Sequence, residues 1–206
     1  TAQYLRPAQN GAGEVWVELV KSGRQVDFLS ARLVQDGTPR LTATGLFGDL
    51  GRGGGELTAC DPPDLPPPDA CTSRAPNPKA PTIAERLDFA LHPADAGMFV
   101  GAPTGRALLR GWMRFRDGRA PDLISLPTFA DAFPPPVFQI HPTFDWVPTL
   151  ELGVQFRRAP AAGWLACAFT TRSMAGGYLE EDGQIWDGEG RVVAISRQLA
   201  HLRVGP

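Results

Sequence analysis

The residues that most often perform covalent or metal-assisted catalysis are not arranged for it in this sequence. Ser196 lacks the flanking glycines of a nucleophile elbow. His92, His141 and His201 are far apart and show none of the short spacings typical of metal ligands. We therefore expect no covalent serine mechanism, no metal site and no cofactor.

One carboxylate has neighbours that would favour acid–base chemistry. Asp131 lies between Phe129-Ala130 and Ala132-Phe133. Such apolar neighbours would partly desolvate the carboxylate, and this would raise its pKa and make it a stronger base. A base that accepts a proton from attacking water typically supplies ~10²–10⁴-fold acceleration. A solvated acid on an exposed helix face is the alternative reading of the same residues.

The element that carries Asp131 is predicted to be a helix between about Asp122 and Phe133. Asp122 or Ser125 can cap its start, and Pro134-Pro135-Pro136 stops it. Its apolar stripe is supplied by Leu123-Ile124, Leu126 and Phe129-Ala130.

Most of the remaining sequence is predicted to form β-strands, because runs rich in β-branched and aromatic residues are bounded by Gly, Asp and Pro. One helix and many strands indicate an α+β fold in which an antiparallel sheet wraps around a central helix. The predicted strands are Glu14–Lys21, Gln25–Gln35, Arg40–Phe47, Ile83–Leu91, Ala107–Phe115, Leu150–Arg158, Trp164–Thr171, Gly177–Trp186 and Arg191–Leu202.

Two parts of the chain repeat each other. Gln3-Tyr4-Leu5-Arg6 reappears as Gln155-Phe156-Arg157-Arg158, and Asp36-Gly37 with Arg40 and Ala43 reappears as Asp187-Gly188 with Arg191 and Ala194. Such ordered agreement favours a duplication over chance. The first copy lacks a counterpart of residues 82–148. We therefore expect it to be incomplete, with no partner helix in residues 1–80.

The segment between the repeats has a different composition. Gly51-Arg52-Gly53-Gly54-Gly55 is followed by Pro66-Pro67-Pro68. Glycine confers flexibility and proline confers extended stiffness, so the segment is predicted to be a connector. A phosphate-binding loop is disfavoured, because no Lys-Ser/Thr and no helix start follow the glycines.

The amino-acid composition limits the possible binding partners and the cellular compartment. In 206 residues, 20 Lys and Arg face 22 Asp and Glu, for a formal net charge of −2. This balance argues against nucleic acid as a partner. Because no apolar run approaches ~18 residues, no membrane span is predicted. Cys60, Cys71 and Cys167 are most simply reduced thiols of a cytoplasmic protein, although a Cys60–Cys71 disulfide remains open.

Four motifs of the second half resemble the C-terminal hotdog of acyl-CoA thioesterase II type (TesB-like) enzymes. The first half, from TAQYLRPA to ATGLF, resembles the end of the N-terminal hotdog of the same family. The resemblance implies a double hotdog, with residues 1–50 as the end of an incomplete first hotdog, 51–80 as a linker and 81–206 as the catalytic second hotdog. The four motifs are FADAFPPPVF (129–138), TLELGVQFRR (149–158), GWLACAF (163–169) and GRVVAISRQLA (190–200).

The resemblance also implies an active site and a substrate. Family members use an acid on the central helix, a Ser or Thr at the start of the next strand and a Gln on the last strand. The matching positions here are Asp131, Thr149 and Gln198. The implied reaction is hydrolysis of acyl-CoA to a free fatty acid and CoA. Asp131 would act as the base, Thr149 would orient the water, and Gln198 would hold the water or bond the substrate carbonyl.

Strand alternation predicts which faces carry these side chains. Gln198 shares a face with Val192, Ala194 and Ser196, and these small residues would allow close approach to the helix. Alternation places Thr149 on a polar face with Glu151, Gly153 and Gln155 instead. This face is opposite the apolar side of the same strand, which conflicts with a role beside Asp131.

The two repeats differ at the position of Gln198. In the first repeat, the position matching Gln198 is Phe47, so we expect a single active half.

Binding of CoA phosphates requires cations. Arg110, Arg114 and Arg116 share one strand face, and Arg157, Arg158 and Arg172 lie in later strands. Solvated surface charge is the simpler reading for each of these arginines.

Two other functions remain as alternatives. A hotdog hydratase or dehydratase would need a histidine near the helix acid, for which His141 is the candidate. A non-catalytic protein that binds acyl thioesters would have the same fold. Association into a homo-oligomer is also left open.

Overall fold

Alternating apolar and polar residues form one antiparallel sheet in the computed structural model, which describes residues 1–52, 59–73, 81–140 and 146–202. Twelve strands belong to this sheet within the described residues. They are β1 (Ala2–Tyr4), β2 (Glu14–Lys21), β3 (Val26–Gln35), β4 (Thr38–Gly48), β5 (Thr72–Ser73), β6 (Leu87–Leu91), β7 (Leu108–Phe115), β8 (Thr149–Phe156), β9 (Leu165–Thr170), β10 (Met174–Ala175), β11 (Tyr178–Trp186) and β12 (Val192–His201).

Part of the strand order is symmetric about the β1–β8 pair. Strands follow one another as β2-β3-β4-β1-β8-β12-β11-β9-β7-β6-β5, and β10 pairs with β11. The series β1-β4-β3-β2 therefore extends to one side, and β8-β12-β11-β9 extends to the other. The two sides meet where Ala2 pairs with Leu152 and Gln3 pairs with Glu151. The two four-strand series therefore follow the same chain order outward from β1 and from β8.

Each predicted strand is present, most with ends shifted by one or two residues, and one of them starts four residues later than predicted. The strand predicted from Ile83 begins only at Leu87, because Pro81 is followed by a 3-10 helical turn at Thr82–Glu85. Pro81 is the N-cap residue of this turn, and its carbonyl accepts the backbone N–H of Ala84 at 2.9 Å. The short strands β1, β5 and β10 were not predicted, since two or three residues give no periodic signal.

The helix α1 (Leu126–Ala132) is the α-helix of the described residues and is shorter than predicted. Ser125 is the N-cap residue but makes no side-chain capping hydrogen bond, and it forms a turn with Asp122 before the helix. The backbone N–H of Ser125 donates to Oδ1 of Asp122 at 2.8 Å, and that of Asp122 donates to Oγ of Ser125 at 2.8 Å. Phe133 is extended because the residue before a proline avoids the helical region.

The main core lies between α1 and one face of the sheet. Leu126, Phe129 and Ala130 of the helix are buried against apolar side chains of β6, β7, β9 and β12. The rings of Phe129 and Phe115 meet edge to face with centroids 4.8 Å apart. This packing fixes the rotation of α1, so that Asp131, next to the buried Ala130, lies at the margin of the core.

The other face of the sheet is covered by part of the Gly/Pro-rich segment. Cys60 and Leu65 pack against Trp186 and Trp112, and the indole N–H of Trp112 donates to the carbonyl of Pro66 at 2.8 Å. The described residues 59–73 are thus packed on the sheet rather than extended away from it. Cys60, Cys71 and Cys167 are all unpaired, so the structure does not contain the Cys60–Cys71 disulfide that had remained open.

The strands of the first half are much less covered. Every residue of β2 is exposed, including Val15, Val17 and Leu19, which alternation places on the same side of the sheet as α1. Within residues 1–52 and 59–73 there is no α-helix. Among the described residues, no helix has both the length and the apolar composition needed to cross a lipid bilayer.

Candidate active site

Three side chains from three elements form one hydrogen-bonded chain. The hydroxyl of Thr149, at the start of β8, donates to Oδ1 of Asp131 on α1 at 2.8 Å. The amide Nε2 of Gln198 on β12 donates to Oγ1 of Thr149 at 2.8 Å. The structure therefore brings together the three positions that the family resemblance selected, although residues 131 and 198 are far apart in sequence.

A β-bulge explains how Thr149 reaches this chain. Along most of the β8–β12 pair, each step on one strand matches one step on the other. At its end, Leu199 pairs with Glu151 while Ala200 pairs with Thr149, so Leu150 is an extra residue. A bulge turns the following side chain to the opposite face. Thr149 therefore lies on the face of Gln198, and the polar face predicted by simple alternation was wrong.

A second bulge changes the predicted face of Val192. Ile185 pairs with Ala194 but Trp186 pairs with Val192, so Val193 is the extra residue. Ala194, Ser196 and Gln198 face α1 as predicted. Val192 instead packs with Trp186 on the outer side of the sheet, and its predicted position beside Gln198 was wrong.

Asp131 is accessible to solvent and yet has a perturbed pKa. Its residue surface is exposed, while the protein atoms around the carboxyl group desolvate it and raise its pKa. The hydrogen bond from Thr149 acts in the opposite direction and lowers the pKa. Desolvation is the larger of the two causes. Asp131 thus combines access to water with increased basicity, which are the two properties that a general base needs.

Two titratable residues near Asp131 were not selected from the sequence. The pKa of Tyr4 on β1 is raised to about 12, mainly by burial and also by the negative charge of Asp131. The pKa of Glu181 on β11 is raised well above its ordinary value, again mainly by burial and then by Asp131. Tyr4 gave no signal beyond its place in the repeat.

Glu181 could have been found from the sequence. It alternates with Leu179, Gly183 and Ile185 along β11, and an acid on such an apolar face is unusual. In the structure it is only 5% exposed and is the cross-strand partner of Gln198. Side chains of directly opposed residues lie on the same face of a sheet.

Most of the arginines considered for CoA phosphates are bound to carboxylates of the chain. Arg110 forms a salt bridge with the buried Asp95, and Arg114 and Arg116 share Asp88. Arg172 pairs with Asp182, and Arg157 donates to the side-chain carbonyl of Gln155 at 2.6 Å. The structure therefore singles out none of them as a phosphate ligand.

Two of the three histidines lie in the described residues, and each has a local contact. His141 lies outside the described residues. His92 accepts a hydrogen bond from the backbone of Ala94, and the ring of His201 lies against Tyr178. Across the parts of the chain that the structure describes, no three His, Cys, Asp or Glu side chains are grouped to hold a metal ion.

Family models match both parts of the chain. The acyl-CoA thioesterase C-terminal domain matches residues 59–202, and the acyl-CoA thioesterase N-terminal domain matches residues 1–48. Among curated proteins, an uncharacterized protein of Mycobacterium tuberculosis and its counterpart in Mycobacterium bovis are 36% identical over 89 residues, or 43% of this chain. The matched part spans 30% of the length of these relatives.

Solved structures are similar over nearly the whole chain. A proposed thioesterase II from Thermobifida fusca is 30% identical with a TM-score of 0.89, covering 98% of this chain and 77% of that one. A protein with a hotdog fold from Alicyclobacillus acidocaldarius is 21% identical with a TM-score of 0.86, covering 100% and 78%. An acyl-CoA thioesterase II from Mycobacterium marinum is 20% identical with a TM-score of 0.72, covering 99% and 79%.

Proposed function

Because the chain belongs to the acyl-CoA thioesterase family and has its α+β hotdog fold, we propose that it hydrolyses acyl-CoA to a free fatty acid and CoA. The observation that carries the proposal is the hydrogen-bonded chain from Gln198 through Thr149 to Asp131. Each residue type in it supplies a separate requirement of hydrolysis: a base, an orienting hydroxyl and an amide.

The direction of the hydrogen bonds supports the role of Asp131 as the base. An ionised carboxylate can only accept hydrogen bonds, so the hydroxyl of Thr149 must donate to it. The lone pairs of that hydroxyl are then available to Nε2 of Gln198. Both neighbours are thereby oriented around an ionised Asp131, the form that can accept a proton from water.

The reaction then follows with Asp131 as the proton carrier. Asp131 takes a proton from a water molecule as the water oxygen bonds to the carbonyl carbon of the thioester. The carbon–sulfur bond of the tetrahedral intermediate breaks, and the proton held by Asp131 passes to the departing thiolate of CoA. The products are a fatty acid and free CoA, and no oxidant or cofactor is consumed.

We also propose the finer architecture implied by the family resemblance. The chain would be a double hotdog, with residues 1–50 from the first unit, 51–80 as a linker and 81–206 as the catalytic unit. The mirrored strand order about β1 and β8 supports this division. The three unpaired cysteines favour a reducing compartment such as the cytoplasm.

The decisive experiment measures release of free CoA by the purified full chain from short-, medium- and long-chain acyl-CoAs. We expect Asp131→Asn to lower kcat by ~10²–10⁴-fold, because the amide keeps the shape of the carboxylate but cannot accept a proton. KM should stay nearly unchanged, since substrate contacts are retained.

Asp117→Asn is the matched control, because Asp117 is an exposed aspartate outside the hydrogen-bonded chain. It should keep wild-type kcat. Hydrolysis by Asp131→Asn at the wild-type rate would refute the assignment of the base. Binding of acyl-CoA without hydrolysis by the wild type would favour the non-catalytic alternative, and addition of water to an enoyl-CoA would favour the hydratase.

A further inference from the structure

The hydrogen-bonded chain of the active site has an unsatisfied end. Nε2 of Gln198 donates to Thr149, so the carbonyl Oε1 of the same amide needs a separate donor. This oxygen is buried and has no hydrogen-bond partner among the described residues. A buried carbonyl without a donor typically costs ~1–3 kcal/mol, and such groups are rare in folded proteins. The environment of Gln198 should therefore contain a donor.

The directly opposed residue on the neighbouring strand is Glu181. It pairs directly with Gln198 across β11 and β12, so the two side chains leave the sheet on the same face. Glu181 is 5% exposed and Gln198 is 7% exposed, so both groups are withdrawn from solvent. A carboxylate there could only accept and would leave Oε1 unpaired, whereas a carboxylic acid has an O–H to donate.

The surroundings of Glu181 favour the carboxylic acid. Its cross-strand partner is the uncharged Gln198. The flanking acids point to the other side of the sheet, where Asp182 pairs with Arg172 and Arg197. Burial and the charge of Asp131 both raise the pKa of Glu181. Two nearby acids with separated pKa values commonly divide into one proton donor and one proton acceptor.

A further buried group lies on the other flank of Glu181. Thr170 is paired with Asp182, so the register continued by one residue places Thr171 beside Glu181. Thr171 is 7% exposed, and its hydroxyl likewise has no hydrogen-bond partner among the described residues. The two neighbours of Glu181 on this face are therefore uncharged, and a neutral carboxylic acid is less costly to bury beside them than a carboxylate.

We propose that Glu181 is a positioning residue, whose protonated carboxyl group donates a hydrogen bond to Oε1 of Gln198 and so fixes the amide that orients Thr149 and Asp131. This inference rests on the proposed thioesterase function. It extends the chain to Glu181→Gln198→Thr149→Asp131, in which every donor points toward the base. Hydrogen bonds aligned in one direction polarise and strengthen one another.

The proposal predicts a pH dependence. Activity should rise as Asp131 ionises and fall again as Glu181 loses its proton at higher pH, because the ionised form can no longer donate. Several other side chains lie on the same face of the sheet as Glu181. The titratable ones are Asp131 on α1, Tyr4 on β1 and the buried Cys167 on β9, and the uncharged ones are Thr171 at the end of β9 and Ser196 and Gln198 on β12.

The test compares three variants of the full chain by kcat, KM and the pH profile of acyl-CoA hydrolysis. Glu181→Gln keeps a donor that does not titrate, so kcat should stay within about threefold while the high-pH fall disappears. Glu181→Leu removes the donor, so kcat should fall about 10- to 100-fold with KM unchanged. Glu180→Gln, on the opposite face, should keep both kcat and the high-pH fall.

Tyr4→Phe identifies the origin of the high-pH fall, because it removes the other titratable group near Asp131 and should leave the fall in place. A Glu181→Gln variant that loses activity as Glu181→Leu does, or that keeps the high-pH fall, would overturn the proposal. If Glu181→Leu does not fold, as a thermal melt would show, Glu181→Gln alone decides. Wild-type activity in Asp131→Asn would instead overturn the proposed function on which this inference rests.

Discussion

Strands β2 and β9 occupy corresponding places at the two sides of the symmetric strand order, yet their environments are opposite. Val17 of β2 is 62% exposed, whereas Phe169 of β9 is completely buried. Both strands are rich in apolar residues. The difference arises because β9 packs beneath α1 on one face and beneath residues 59–73 on the other, whereas among the described residues no helix covers β2.

The two halves show that the residues needed to form a strand differ from those needed to form a site. Apolar and β-branched residues suffice to pair β2 with β3 and β4, so the first half has a sheet without a closed core. The second half adds α1, and with it a partly desolvated acid above a row of buried polar side chains. Chemistry can be concentrated there, because a covering helix both excludes water and supplies the base.

The largest expected effect concerns stability. Phe169→Ala should lower the free energy of unfolding by about 3–5 kcal/mol, since it leaves a cavity beneath α1. Val17→Ala on β2 should change it by less than about 0.5 kcal/mol, as is usual for exposed positions. Urea denaturation of both variants measures the difference. Equal losses of unfolding free energy would mean that β2 is covered in solution and that the two strands do not differ in burial.

The next effect concerns catalysis on β12 and β4. Gln198→Ala should lower kcat about 100-fold, or about 2.7 kcal/mol in activation free energy, because Thr149 loses its orienting donor. Phe47→Ala, at the position that matches Gln198 in the repeat, should leave kcat unchanged. Steady-state hydrolysis of one acyl-CoA by both variants provides the measurement. A similar loss in Phe47→Ala would show that the first half takes part in the chemistry.

The smallest effect is a shift in pH dependence. The hydrogen bond from Thr149 lowers the pKa of Asp131, so its removal in Thr149→Val should raise that pKa. A base must be ionised to act, and the acidic limb of kcat/KM should therefore move to higher pH. Thr44→Val, at an exposed position of β4, should leave the limb unmoved. A shift to lower pH in Thr149→Val would contradict the direction of the hydrogen bond.

Much of this fold follows from local sequence. Runs such as Glu14–Lys21 and Tyr178–Trp186 alternate in ways that only a strand satisfies, and Pro134-Pro135-Pro136 ends the helix wherever it packs. The apolar neighbours of Asp131 likewise predicted its desolvation. These features depend on residues close in sequence, so they are encoded before the chain folds.

The site needed tertiary structure, because its geometry depends on how distant strands pair. The bulge at Leu150 brings Thr149 to the face of Gln198, and the bulge at Val193 sends Val192 to the other face. Alternation along one strand cannot reveal an extra residue that only its partner defines. Because strand pairing cannot be read from the sequence, only the family resemblance grouped Asp131, Thr149 and Gln198 at that stage. Only the pairing of β11 with β12 placed Glu181 beside them.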